Sequence, residues 1–143
     1  MKQKKDCRRS DCPISFTLEI LGDRWTLLVL RDLIFLNKGS YGDFLNSEEK
    51  IATNILANRL KRLEVEGIVT KSKEARNRAK YIYELTEKGI DLLPLLLEAI
   101  RWGAKYDPKT AAPKEFIQRL KRDRDAVIKE ISSRLVRQNK KRP

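Results

Sequence analysis

Histidine is absent from the sequence, cysteine occurs only at Cys7 and Cys12, and no glycine-rich phosphate loop is present. These absences remove the usual nucleophile–base pairs and transition-metal ligand sets, so no enzyme, metal site or cofactor is expected. Aspartate and glutamate are plentiful, but they fall beside Lys and Arg on helix surfaces, which suits ordinary ion pairing. No stretch reaches the roughly 18 uninterrupted apolar residues of a membrane span. The basic start, MKQKKDCRRS, is not followed by a long apolar run with a small-residue cleavage site. It does not read as a signal peptide, and a cytoplasmic location is expected. Two cysteines without an export signal also argue against a disulfide scaffold.

Positive charge is what the sequence has in excess. Its 143 residues suffice for one domain with a real core; 41% are apolar, as in a folded soluble protein, and a high 36% are charged. The net charge is +12. Residues 1–10 carry five Lys/Arg against one Asp, and residues 111–143 carry eleven against four Asp/Glu. The body between them is nearly neutral, yet its segment 50–80 holds nine Lys/Arg against three Glu. Such a local field attracts a polyanion, above all nucleic acid. For the two ends alone, a merely solvating role is the simpler reading.

The segment 51–67, IATNILANRLKRLEVEG, is the centre of the reading. Ile55, Leu56, Leu60 and Leu63 recur at helical spacing and set one face into a core. Thr53, Asn54, Asn58, Lys61 and Arg62 fall on the other face; Thr53 or a neighbour starts the helix and Gly67 stops it. Asn and Lys/Arg reach base edges or phosphates from a helix lying in a major groove. An ordinary solvated face fits the same pattern. Upstream, Phe16, Leu18, Ile20 and Leu21 predict a short helix from Cys12-Pro13 to near Gly22. Asp23 caps a second, RWTLLVLRDLIFLN, with Trp25, Leu28, Leu30, Leu33 and Ile34 in the core. Ser40 caps a short third, with Tyr41, Phe44 and Leu45 inward. Two helices joined by the polar turn 47–50 form a helix-turn-helix.

After Gly67 the period changes to two. Ile68, Val69 and Thr70 open one strand, and Tyr81, Ile82, Tyr83 and Leu85 mark another. Between them KSKEARNRAK, with Asn77 near its tip, makes a cationic wing, so that Arg76, Arg78 and Lys80 would sit against phosphates or in the minor groove. The expected fold is mainly α with a small β-hairpin wing, a winged helix-turn-helix. From Thr86 a long helix runs to residue 106, with Pro94 either kinking it or lying in its first turn. Apolar groups almost surround that helix, more than one small domain can cover, so a homodimer is expected. A last helix, about 113–138, carries Phe116, Ile117, Leu120, Val127, Ile128, Ile131 and Leu135 on a stripe that Arg124 interrupts. It reads as a dimer arm or as a helix packed on the body. The expected divisions are a basic tail at 1–10, the winged domain with its dimerisation helices at 11–107, and a basic helical extension at 108–143.

One series of short motifs carries a family resemblance. It consists of Cys12-Pro13, Leu21-Gly22-Asp23-Arg24-Trp25, Tyr41-Gly42-Asp43-Phe44, Ile55-Leu56-Ala57-Asn58-Arg59-Leu60 with Leu63-Glu64, Gly67-Ile68-Val69, Tyr83-Glu84-Leu85-Thr86-Glu87-Lys88-Gly89 and Trp102-Gly103. In this order and spacing they resemble the HxlR-type winged helix-turn-helix transcriptional regulators, from about residue 12 to 106. The resemblance implies a homodimer, held by the first helix and the helix at 91–106, that binds operator DNA. Phe16, Leu92, Leu95, Leu96, Ile100 and Trp102 are then the candidate dimer contacts. It also makes Cys12 a candidate sensor of oxidants or electrophiles, with Cys7 as a partner thiol, the effector itself being unassigned. A thiolate there would be favoured by the helix start and by Arg8 and Arg9. The tail beyond Pro108 is longer than most members carry.

On these grounds the function expected is a transcriptional regulator, a repressor acting on a pseudo-palindromic operator in double-stranded DNA. Thr53, Asn54, Asn58 and Lys61 are the candidate base contacts. Arg59, Arg62, Arg76, Arg78 and Lys80 are the candidate backbone or minor-groove contacts, although Arg59 lies near the buried side and could pair with Glu48 or Glu49. The alternatives are an RNA- or ribosome-associated winged helix, which would expose stacking aromatics on the basic face, and a module binding an acidic protein. Salt-dependent retention of duplex DNA separates them.

Overall fold

Most helices in the computed structural model, which describes residues 8–141, begin where a side-chain oxygen or a proline can start them. Helix α1 (Pro13–Leu21) has Pro13 in its first turn, where a missing N–H costs nothing. Helix α2 (Arg24–Phe35) is capped by Asp23, whose Oδ1 accepts from the backbone N–H of Trp25 at 2.8 Å and of Thr26 at 3.0 Å. In α3 (Tyr41–Leu45) Ser40 and Asp43 cap each other's backbone reciprocally. Helix α4 (Thr53–Val65) follows extended Ala52 without a side-chain cap, so Thr53 is its first residue. It stops at Gly67, whose φ of +72° suits glycine. There the N–H of Ile68 donates to Leu63 O at 2.9 Å and that of Gly67 to Glu64 O at 3.0 Å, satisfying carbonyls the helix leaves open.

Strands β1 (Val69–Lys73) and β2 (Tyr81–Leu85) pair antiparallel, Val69 opposite Leu85 and Lys73 opposite Tyr81. Lys71, Ser72 and Lys73 therefore belong to the strand, and the wing tip is shorter than their charge suggests. On the other edge of β2, Gly39 O accepts the N–H of Tyr83 at 2.8 Å and Ser40 bridges to Ile82.

The long helix expected from Thr86 is two: α5 (Glu87–Ile90) and α6 (Leu93–Tyr106), with Pro94 in the first turn of the second. Proline has no N–H to donate back and its ring crowds the preceding turn, so the helix restarts just before it. The single C-terminal helix is likewise two, α7 (Lys114–Arg122) and α8 (Arg124–Lys141). Asp123, which leaves helical geometry at φ −150° and ψ 83°, breaks them, and its Oδ1 accepts the N–H of Ala126 at 3.1 Å. The break folds α8 back against α6, α7 and β2. The arm is thus a helical hairpin packed on the body. The guanidinium of Arg134 donates to Ile34 O, and Asn139 Nδ2 donates to Leu85 O at 2.8 Å.

One apolar cluster joins Leu30 and Ile34 of α2, Phe44, Leu56, Leu60 and Leu63, Leu93 and Leu97 of α6, and Leu120, Val127, Ile131 and Leu135 of the hairpin. Each of these side chains gains about 1.5–3 kcal/mol from leaving water. Trp25 and Leu28 differ from expectation: both are only half-buried, because apolar residues occupy more of the α2 circumference than the core can take. Leu96 also departs from its expected place among the dimer contacts. It is 5% exposed and packs inside its own chain, one turn from Leu93. Among the described residues no helix is long and apolar enough to cross a membrane.

Candidate nucleic-acid interface

Because Leu56, Leu60 and Leu63 are turned into the core, the opposite side of α4 is left to solvent. Thr53, Asn54, Asn58, Lys61 and Arg62 are all exposed there. The helix is held at this angle from both sides. Tyr41 Oη donates to Thr53 O at 2.8 Å, tying α3 to the start of α4. Arg31 of α2 clamps the intervening turn through Glu49, with contacts of 2.5 and 2.9 Å. The same guanidinium donates to buried Asp32 at 2.8 and 2.9 Å, and Ser47 Oγ donates to the other Asp32 oxygen. Arg31 holds Glu49 down at a pKa of about 2, chiefly by hydrogen bonding, with burial opposing. The hydrogen bonds to Glu49 in turn raise Arg31, against a smaller effect of burial.

Between α4 and the wing opens a cleft of about 640 Å³. Ala57, Leu60, Lys61 and Glu64 form one wall; Lys71, Asn77, Lys80, Tyr81 and Tyr83 form the other, and Tyr41 and Gly42 close one end. Lys61 and Lys80, expected from the sequence, thus face one space. Lys80 lies 3.7 Å from Glu74, and Lys61 3.4 Å from Glu64. Arg76 lines the opposite face of the wing, with Ser72, Ile82 and Glu84. Arg78 is exposed at the tip. Among the described residues, Arg62, Arg76 and Arg78 have no side-chain partner.

Tyr41, Lys71 and Tyr81 were not among the expected site residues. Alternation would have found two of them: Lys71 lies two positions after Val69 and Tyr81 two before Tyr83, so all four share the inner face of the hairpin. Tyr81 is 40% exposed, and Lys71 Nζ lies 4.2 Å from its ring centroid. An aromatic does therefore reach the surface in the basic cleft.

Arg59 pairs with neither Glu48 nor Glu49. Its Nε lies 2.9 Å from Asp23 Oδ1, and its NH1 donates to Asn58 Oδ1 at 2.7 Å. Burial pushes the Asp23 carboxyl up, but hydrogen bonds from Thr26, Arg59 and the backbone outweigh it and leave the group below its ordinary value. Asp43 is lowered similarly: burial is outweighed by the Ser40 and Gly39 contacts and by nearby Lys80.

Cys12 is exposed immediately before α1, and its carbonyl accepts the N–H of Phe16 at 3.0 Å. Arg8 is 3.7 Å from Asp11 and its guanidinium carbon is 5.5 Å from the Phe16 ring centroid. Cys7 lies outside the described residues. Of the expected dimer residues, Phe16, Leu95 and Trp102 are exposed, Trp102 by 67%, and Leu92 and Ile100 are half-buried. Ile14, Leu18 and Tyr106 add to this uncovered apolar surface.

Comparison with known proteins gives one answer. Residues 20–111 match the HxlR-like helix-turn-helix family. The HTH-type transcriptional regulator YdeP of Bacillus subtilis (strain 168) is 34% identical over 95 residues, 66% of this chain and 73% of YdeP. The crystal structure of PA1607, a candidate transcription factor, superposes with a TM-score of 0.64 at 33% identity, covering 74% of each chain. The redox regulator HypR in its reduced form superposes with a TM-score of 0.59 at 27% identity, covering 68% of this chain and 95% of HypR. The α7–α8 hairpin lies wholly beyond the matched span. With its fold, basic cleft and matched span in agreement, the chain belongs to the HxlR-like helix-turn-helix family of transcriptional regulators.

Proposed function

We propose that the protein represses transcription as a homodimer, setting two copies of α4 into successive major grooves of a pseudo-palindromic operator about 34 Å apart. Thr53, Asn54, Asn58 and Lys61 read base edges. Arg62, Arg76, Arg78 and Lys80 hold the backbone or minor groove, together with Tyr41 and Lys71. The observation that carries this reading is the open cleft lined by Lys61 of the helix and by Lys71 and Lys80 of the wing, since cations on two neighbouring elements suit contact with a phosphate backbone. The uncovered apolar residues of α1 and α6 supply the pairing surface.

Binding titrations on a selected site and on random duplex test the division of labour. Asn58→Ala is expected to cost about 1–3 kcal/mol on the selected site and little on random DNA. Arg78→Ala is expected to weaken both alike and to reduce the salt slope by about one. Equal losses on both sequences for both variants would overturn that division. Duplex affinity of the wild type that is weak and indifferent to salt would overturn the whole reading.

Control by oxidants through Cys12 completes the proposal. HypR, the redox regulator, has been solved in both reduced and oxidised forms, and Cys12 is a free, solvent-accessible thiol immediately before α1. Cys7, or a second subunit's Cys12, supplies the other sulfur. Diamide is expected to change the DNA affinity of the wild type several-fold and to leave Cys12→Ser unchanged. Equal responses from the two proteins would dismiss Cys12.

A further inference from the structure

We propose that Arg59 is a positioning residue that turns the Asn58 amide so that its N–H donors face the DNA, making guanine rather than adenine the base Asn58 selects. The inference rests on the reading of α4 as the helix that enters the major groove.

A guanidinium carries five N–H donors and no acceptor. The Asn58 atom that Arg59 NH1 meets at 2.7 Å is therefore the amide oxygen. Arg59 is not free to move off it, because its Nε is fixed to Asp23 Oδ1 at 2.9 Å, and both partners are about three-quarters buried, with side-chain exposures of 25% and 23%. Asp23 is itself immobilised. As the cap of α2 it accepts from Trp25 N and Thr26 N, and its other oxygen takes the Thr26 hydroxyl at 2.5 Å. A continuous chain, Thr26 to Asp23 to Arg59 to Asn58, thus runs from the start of α2 to the outer face of α4. Asn54, one turn earlier on that face, has no such restraint among the described residues and can present either end of its amide.

The consequence follows from the donor and acceptor patterns in the groove. Adenine is read by both ends of an amide at once: N7 accepts from the NH2 while N6–H donates to the oxygen. Guanine offers only acceptors, N7 and O6. With Oδ1 drawn to Arg59, the free edge of Asn58 is its NH2 group, which guanine N7 or O6 can accept from, whereas adenine N6–H would be left without its acceptor. Arg59 therefore contributes to sequence choice without touching DNA, and its charge, already neutralised by Asp23, adds little to backbone affinity.

The test is selection of bound duplexes from a randomised pool by the full chain. The operator position read by Asn58 is the one whose preference disappears in Asn58→Ala. At that position the wild type is expected to favour guanine over adenine by roughly tenfold. Arg59→Met frees the amide oxygen and is expected to move the preference to adenine. Asp23→Ser keeps a capping oxygen for α2 but removes the carboxylate that holds Arg59; it is expected to shift the preference in the same direction, and it decides the matter if Arg59→Met does not fold. A purely structural Arg59 would lower affinity for every duplex and leave the chosen base alone. Wild-type preference for adenine, or an unchanged guanine preference in the folded variants, would overturn the inference while sparing the regulator reading. Absence of any sequence selection by the wild type would overturn both.

Discussion

The carboxylate of Glu49 receives two contacts from Arg31, at 2.5 and 2.9 Å, and through them fixes the turn that aims α4. Hydrogen bonding lowers its pKa from an ordinary 4.5 to about 2 in the folded chain. A group lowered on folding stabilises the native state above its unfolded pKa, and that contribution disappears as pH falls through the folded value. The pair should therefore support stability fully above about pH 5 and lose its effect between about pH 4.5 and 2. Urea titrations of the wild type and Glu49→Gln should show a gap that is widest near neutrality and closes by about pH 2. A gap independent of pH would show that the charge on Glu49 contributes nothing.

At the level of elements, the α7–α8 hairpin lies beyond the family match, which ends at residue 111. It contributes Leu120, Val127, Ile131 and Leu135 to the one core, and Asn139 and Arg134 donate to backbone carbonyls at the base of the wing and near the end of α2. Arg124 and Arg119 add ion pairs to Glu98 and Glu130. Such a hairpin should unfold with the winged domain and not before it. Leu135, 4% exposed, faces that shared core. Leu135→Ala is expected to lower stability by about 2–5 kcal/mol in a single cooperative transition. A separate early transition, or a loss below about 1 kcal/mol, would mean that α8 is an appendage.

For the whole molecule, the uncovered apolar residues of α1 and α6 lie on other elements than the basic cleft, which α4 and the wing build. Pairing through those residues, as proposed, would leave the cleft open to DNA. Sedimentation at micromolar concentration is expected to show a dimer for the wild type and a monomer for Trp102→Glu, since an unpaired carboxylate in an apolar interface is strongly disfavoured. The monomer should keep its helical circular dichroism yet lose most of its operator affinity. A wild type that sediments as a monomer would refute the pairing.

What the sequence determined was local. Asp23 and Ser40 announce their helices because a cap needs only a side-chain oxygen within three residues of an open N–H. The two faces of α4, the stop at Gly67 and the cationic hairpin follow from periodicity and φ preference, which are equally short in range. The tertiary structure decided which distant group answers each charge and covers each apolar face. Nothing near Arg59 in sequence names Asp23 as its partner, and the apolar stripes of α6, α7 and α8 do not say whether a second copy or their own chain will meet them. In the fold, Asp123 turns α8 back and Leu96 is enclosed within one subunit, while Trp102 is left outside. Hydrogen bonds within a turn are chosen by neighbours along the chain; burial and ion pairing are chosen by whatever the completed packing brings alongside.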